Sequence, residues 1–102
     1  MKWIDSIPPF APQNLNITYS DEGALLKWKE PETTEEVDGA SYYVVYRFMK
    51  NEIINTASAI NIVAVVRQSV YFAKGKNQEN FQYVVTAVDR LHNESIEYAM
   101  EH

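Results

Sequence analysis

An all-β fold, a seven-stranded antiparallel sandwich of Greek-key type, is the architecture this sequence predicts. Three observations lead to it. Hydrophobicity alternates with a period of two along most of the chain. The strand-like segments are rich in Val, Ile and Tyr, side chains that suit a pleated surface. The three Gly and four Pro fall at segment edges and leave seven strands over roughly 90 residues, a spacing usual for a sandwich.

Each element follows from its residues. Pro8-Pro9-Phe10-Ala11-Pro12 is a stiff extended leader, because each ring fixes φ and biases the residue before it. Residues 1–11 are expected to be a linker or leader, and 12–102 the domain. Leu15 and Ile17 alternate with Asn14, Asn16 and Thr18 in a half-buried strand. After the Asp21-Glu22-Gly23 turn, Ala24, Leu26 and Trp28 alternate with Leu25, Lys27 and Lys29 in a second strand, the first three turned inward. Pro31 stops that strand, and the acidic stretch from Thr33 to Gly39 is a loop. Ala40 to Phe48, Ile60 to Arg67 and Ser69 to Lys74 read as strands. Asn55 is placed to cap one short helical turn between the first two of these. Phe81 to Asp89 is a long strand, Arg90 to Glu94 a loop, and Ser95 to Met100 a last strand. The missing Asn-Gly hairpin signal favours longer Greek-key connections over a meander.

Hydrophobic residues are 46% and charged ones 23% of the 102 residues, as in a single soluble globular domain. Nine Lys and Arg against fourteen Asp and Glu give a net charge of −5. Such a chain repels a phosphate backbone, so nucleic acid is not an expected partner. Without cysteine there is no disulfide, thiol chemistry or Cys-based zinc site. The apolar run from Ile62 to Val66 falls far short of the ~20 residues that span a membrane, and no insertion is expected. Met1-Lys2-Trp3-Ile4-Asp5 puts an acidic residue where the apolar stretch of a signal peptide would begin.

Three segments carry a family resemblance. Pro12 to Ile17 with Leu26-Lys27-Trp28 and Pro31 resembles strands A and B of a fibronectin type III domain, a member of the immunoglobulin-like sandwiches. Tyr42-Tyr43-Val44-Val45-Tyr46-Arg47 resembles its strand C. Tyr83-Val84-Val85-Thr86-Ala87-Val88-Asp89 resembles strand F with its Tyr-x-Val-x-Ala signature, and Asn93-Glu94-Ser95 matches the polar turn into strand G. The chain departs from the pattern at Asn77, where the family usually places a Leu; Phe81 or Phe72 is expected to fill that space. A narrower resemblance runs through Trp3 to Pro12, Asp38 to Phe48 and Val84 to Ser95. These segments look like the C-terminal fibronectin type III module of secreted bacterial proteins of the family-10-like glycoside hydrolase group. The resemblance implies a non-catalytic appendage, secreted, periplasmic or at the cell surface, that spaces or braces an adjacent catalytic domain of the same chain.

Candidate chemistry is sparse. Glycoside hydrolysis needs two carboxylates about 5–9.5 Å apart, often with one in an apolar pocket. Glu35, Glu36 and Asp38 lie in a loop without an apolar wall, so no catalytic residue is assigned. His92 and His102 do not make a metal site, and no cofactor is expected. Ser41, Ser69 and Ser95 have no His at motif spacing. Asn16-Ile17-Thr18 and Asn93-Glu94-Ser95 fit a glycosylation pattern that chance also produces. Carbohydrate is the alternative partner, with Trp3 and Tyr43 as the exposed aromatics that could stack on sugar.

The structural core is expected at Trp28, packed against Tyr46 and Val85, and at Tyr83, its hydroxyl bonded to backbone of the loop before it. With Tyr42, Val44 and Tyr46 turned inward, and Ile60, Ile62, Ala64 and Val66 likewise, the residues left outside merge into one patch. It comprises Tyr43, Val45, Val63, Val65, Val84, Thr86 and Val88, and is expected to dock on the adjoining catalytic domain. Weak self-association through the same patch is expected of the isolated module.

Overall fold

The computed structural model describes residues 7–35, 37 and 39–101. Their strands are β1 (Gln13–Ser20), β2 (Gly23–Lys29), β3 (Tyr42–Met49), β4 (Ile62–Val66), β5 (Val70–Lys74), β6 (Phe81–Val88) and β7 (Ala99–Met100). They form a three-stranded sheet in the order β1-β2-β5 and a four-stranded sheet in the order β4-β3-β6-β7, every pairing antiparallel. This is the immunoglobulin-like sandwich that the alternation and spacing predict. The last strand is shorter than expected: its ladder with β6 is limited to Ala99 and Met100, and ahead of it Glu94 makes an isolated bridge to Val88 while Ser95 N donates to Ala87 O. Asn55 does cap a turn, its Oδ1 accepting from Ala57 N at 3.0 Å, but the 3-10 turn itself lies later, at Ala59–Asn61.

Leu15, Ala24, Leu26 and Trp28 of one sheet meet Tyr43, Val45, Tyr83, Val85 and Ala87 of the other in a core where each is less than a tenth exposed. Trp28 packs edge-on against Tyr43, centroids 5.4 Å apart at 71°, rather than against Tyr46. Its Nε1–H is buried with no hydrogen-bond partner among the described residues. At the tight start of β2, Gly23 has φ +156°. A Cβ there would lie 2.1 Å from the Ala73 carbonyl oxygen, so only glycine lets β2 and β5 approach this closely.

The expected outer patch is corrected by this packing. In an antiparallel ladder directly opposed residues share a face, and β3 pairs Tyr43 with Ala87 and Val45 with Val85. Tyr43 and Val45 are therefore inside the sandwich, and Tyr42, Val44 and Tyr46 are on the other face. β3 has the opposite parity to the expected one for a physical reason. Both of its faces are apolar, so its only charge, Arg47, suggests the phase, and Arg47 sits near the strand's end. There it belongs to the inner parity yet remains exposed, its Cζ 4.6 Å above the Phe81 ring.

β6 keeps the expected parity, but its outward residues Val84, Thr86 and Val88 are buried all the same. Val84 and Val88 join Val44, Tyr46 and Phe48 in a second apolar cluster, packed over by Tyr42, Ile54 and Tyr98. On β4 the register shifts between Val45 and Tyr46 of β3, so Val63 falls opposite no partner. Val63 turns toward the inner core beside Ala64 and Val66. Ile60 and Ile62, expected to be buried, are exposed, and of the seven patch residues only Val65 is exposed.

Candidate interaction surfaces

The strand directions place the end of β2, the start of β3, the β4–β5 turn and the β6–β7 connection at the end of the sandwich where the leader enters β1. The β6–β7 connection is tied down residue by residue. Asp89 is buried, and its Oδ1 accepts from Leu91 N and Asn93 N, both at 2.9 Å, while Oδ2 accepts from Asn93 Nδ2 at 3.2 Å. His92 takes a left-handed conformation, φ 68°, and its Nδ1 lies 3.2 Å from the Tyr42 hydroxyl. Ser95 Oγ accepts from Ala87 N at 3.1 Å and donates to Glu97 O at 2.8 Å.

Between these anchors Glu94 folds back over the outer face of β3 and β6. Its Oε2 accepts from both Tyr46 Oη and Thr86 Oγ1 at 2.5 Å. Two hydroxyls that burial would otherwise leave costly are satisfied by one carboxylate. Burial, reinforced by the Glu94 carboxylate, raises the Tyr46 hydroxyl well above the ordinary tyrosine value of 10.0. Sequence pattern does not single Glu94 out, since it reads as one residue of a polar turn. The available signal is in the strands: the nearly unbroken apolar runs of β3 and β6 are those of strands covered on both faces.

Tyr83 is buried, but its hydroxyl donates to the side-chain carbonyl of Gln78 and not to loop backbone. Gln78 Nε2 in turn donates to Lys74 O at 3.3 Å. Asn77 takes φ 62° just before the 3-10 turn Gln78–Asn80. Gln78 is buried and Phe81 packs against the inner core, while Phe72 is exposed.

The other expected sites are dispersed. Glu36 and Asp38 lie outside the described residues, as does Trp3, and Tyr43 is buried, so the stacking aromatics proposed from sequence are not a described surface. Among the described residues no three His, Asp or Glu side chains gather into a metal site, and no helix is long and apolar enough to cross a membrane. Exposed apolar side chains are spread over the described surface, and two groups of them are neighbours. Exposed Phe10 and Ile96 line a groove of about 320 Å³ at the leader end together with Pro8, Pro9, Ala11 and Glu97. Ile60, in the turn Ala59–Asn61 before β4, and Ile62 and Val65 on β4 form the second group.

No family model matches the chain. It is 28% identical over 95 residues to the glycosyl hydrolase YngK of Bacillus subtilis (strain 168), an alignment spanning 93% of this chain and 18% of that protein. Among solved structures it resembles the bacterial orthologue of human α-L-iduronidase, with a TM-score of 0.71 at 17% identity over 96% of this chain and 16% of that one. It also resembles a structure of titin kinase and its flanking domains, with a TM-score of 0.61 at 18% identity over 91% of this chain and 17% of that one. At these identities the structural likenesses show the fold alone. The chain spans less than a fifth of each of these proteins, so the sandwich it forms is one part of a larger polypeptide in all three.

Proposed function

We propose that this domain is a fibronectin-type-III-like, non-catalytic module that spaces or braces the catalytic domain of a secreted glycoside-hydrolase chain through protein–protein contact. The observation that carries the reading is the alignment of nearly the whole chain with under a fifth of a glycosyl hydrolase. The local chemistry agrees with it. The carboxylates of Asp89 and Glu94 hold a loop and two hydroxyls in place, and the carboxylate of Glu101 accepts from Ile17 N. The surface this reading favours for the contact is the leader end, where Phe10 and Ile96 are exposed beside the point at which the chain enters the sandwich.

The test begins with the coding sequence on either side of this segment, where a catalytic domain is expected in the same reading frame. Deleting 12–102 from that protein should lower its melting temperature and leave turnover of a small chromogenic glycoside unchanged. The isolated module should hydrolyse nothing. A reading frame without a catalytic neighbour, or hydrolysis by the module alone, overturns the proposal. Saturable chemical-shift changes with oligosaccharides would replace bracing by carbohydrate binding.

A further inference from the structure

Among the described residues β4 is a free edge of the four-stranded sheet, with β3 as its neighbour on one side only. An edge strand presents unpaired backbone N–H and C=O groups. Soluble proteins blunt such edges with Lys, Pro, inward charges, bulges or a covering segment. Ile62–Val66 carries no charge, Pro or Gly, and the device present is the bulge at Val63. Side chains along it are open to solvent: Ile60 is 93%, Ile62 38% and Val65 61% exposed. The other edges differ. On β1, Ile17 N already donates to Glu101 Oε2, and Asn14 sits at φ 55°. β5 ends on Lys74, and β7 has two residues.

We propose that β4 pairs with β4 of a second copy of this chain, antiparallel about a twofold axis, joining two four-stranded sheets into one of eight strands. An edge ladder accepts only extended backbone, and two identical antiparallel strands satisfy the symmetry of a closed dimer. Charge selects the same partner. Each copy carries −5 overall and repels the other, but β4 against β4 opposes no like charges. Antiparallel pairing also brings exposed Arg67, just beyond β4, toward the opposite end of the other copy's strand. There Glu52 and Arg47 share a groove with Ile60 and Asn61. Arg47 is held over the Phe81 ring, so Glu52 is the group that meets the incoming Arg67, and the twofold axis makes this contact twice. Two five-residue strands bury less than the ~1,200 Å² that marks stable complexes, so the dimer is weak and reversible. This inference does not rest on the accessory role.

Sedimentation equilibrium and amide NMR from micromolar to millimolar protein test it. The expected result is a reversible dimer, with shifts and growing hydrogen-exchange protection centred on Ile62–Val66. Val65→Lys should keep the wild-type melt and weaken association about tenfold or more. Val65→Thr, still β-branched, should leave it in place. Arg67→Glu should weaken the dimer, and adding Glu52→Arg should restore it. A monomer at millimolar concentration overturns the proposal, as does a dimer that Val65→Lys leaves intact. Shifts that gather at Phe10 and Ile96 instead of β4 also overturn it. Concentration-dependent exchange in the wild-type chain decides the matter if a variant fails to fold.

Discussion

Trp28 combines a large apolar surface with a buried indole N–H that has no partner among the described residues. Its truncation to Ala is expected to cost about 3–5 kcal/mol, a large share of the ~5–15 kcal/mol that stabilises a domain of this size. Trp28→Phe should cost less, because it also removes the unpaired donor; denaturant titration of both variants checks the order. Tyr83→Phe leaves the Gln78 carbonyl without its donor, and a loss of about 1–3 kcal/mol is expected. If the bond is the cause, combining it with Gln78→Met should cost less than the sum of the two single changes. Burial also raises the hydroxyls of Tyr43, Tyr46 and Tyr83 above 10.0, with Arg47 pulling the last partly back. Above about pH 10 the unfolded chain releases protons that the folded one retains. Their contribution to stability is therefore full below pH 10 and declines as pH rises beyond it. Melts between pH 8 and 11 should show the decline, and Tyr46→Phe should make it shallower.

Strand parity decides which valines matter. Val45 and Val65 are both on apolar strands of the same sheet, but one is inside the sandwich and the other exposed. Val45→Thr keeps the shape and buries a hydroxyl, which is expected to cost about 1–3 kcal/mol. Val65→Thr should stay within about 0.5 kcal/mol of wild type. Equal melting temperatures for the two would contradict the parity that the β3–β6 register imposes. A separate constraint acts between β2 and β5 at Gly23. A Cβ 2.1 Å from a backbone oxygen cannot be relieved by a side-chain rotation. Gly23→Ala should therefore shift the β2–β5 register pairs and destabilise by about 1–3 kcal/mol, as overpacking does elsewhere.

At the scale of the whole molecule, β3 and β6 contribute to both apolar clusters, one on each face. Neither cluster can open without breaking the strands that the other needs. Leu26→Ala in the inner cluster and Phe48→Ala in the outer one should therefore lower a single transition. Tryptophan fluorescence and far-ultraviolet circular dichroism should then give the same midpoint for each variant. Two separated transitions would mean that the outer cluster melts on its own. The second cluster also covers the apolar centre of the sheet and leaves exposed apolar groups at the leader end and the β4 edge.

Period-two alternation, turn residues and β-branched composition determined by themselves that the chain is a seven-stranded sandwich, because those signals are local. They also determined the inward faces of β1, β2 and β6. In β1 and in the second half of β2 polar and apolar residues alternate, with Leu25 the apolar exception on the outward side, and in β6 the Tyr-x-Val-x-Ala pattern sets the phase. Three things were decided only in tertiary structure. The face of β3 came from its hydrogen-bonded register with β6, since an apolar strand has no contrast to reveal its phase. The fate of β4 came from a one-residue bulge, which changes parity without changing composition. The covering of the outer face came from Ile54 in the β3–β4 connection and from Glu94 and Tyr98 in the β6–β7 connection, which carry no strand pattern of their own. No local pattern in YYVVYRFM can show that a carboxylate forty-eight residues away satisfies the hydroxyl of Tyr46.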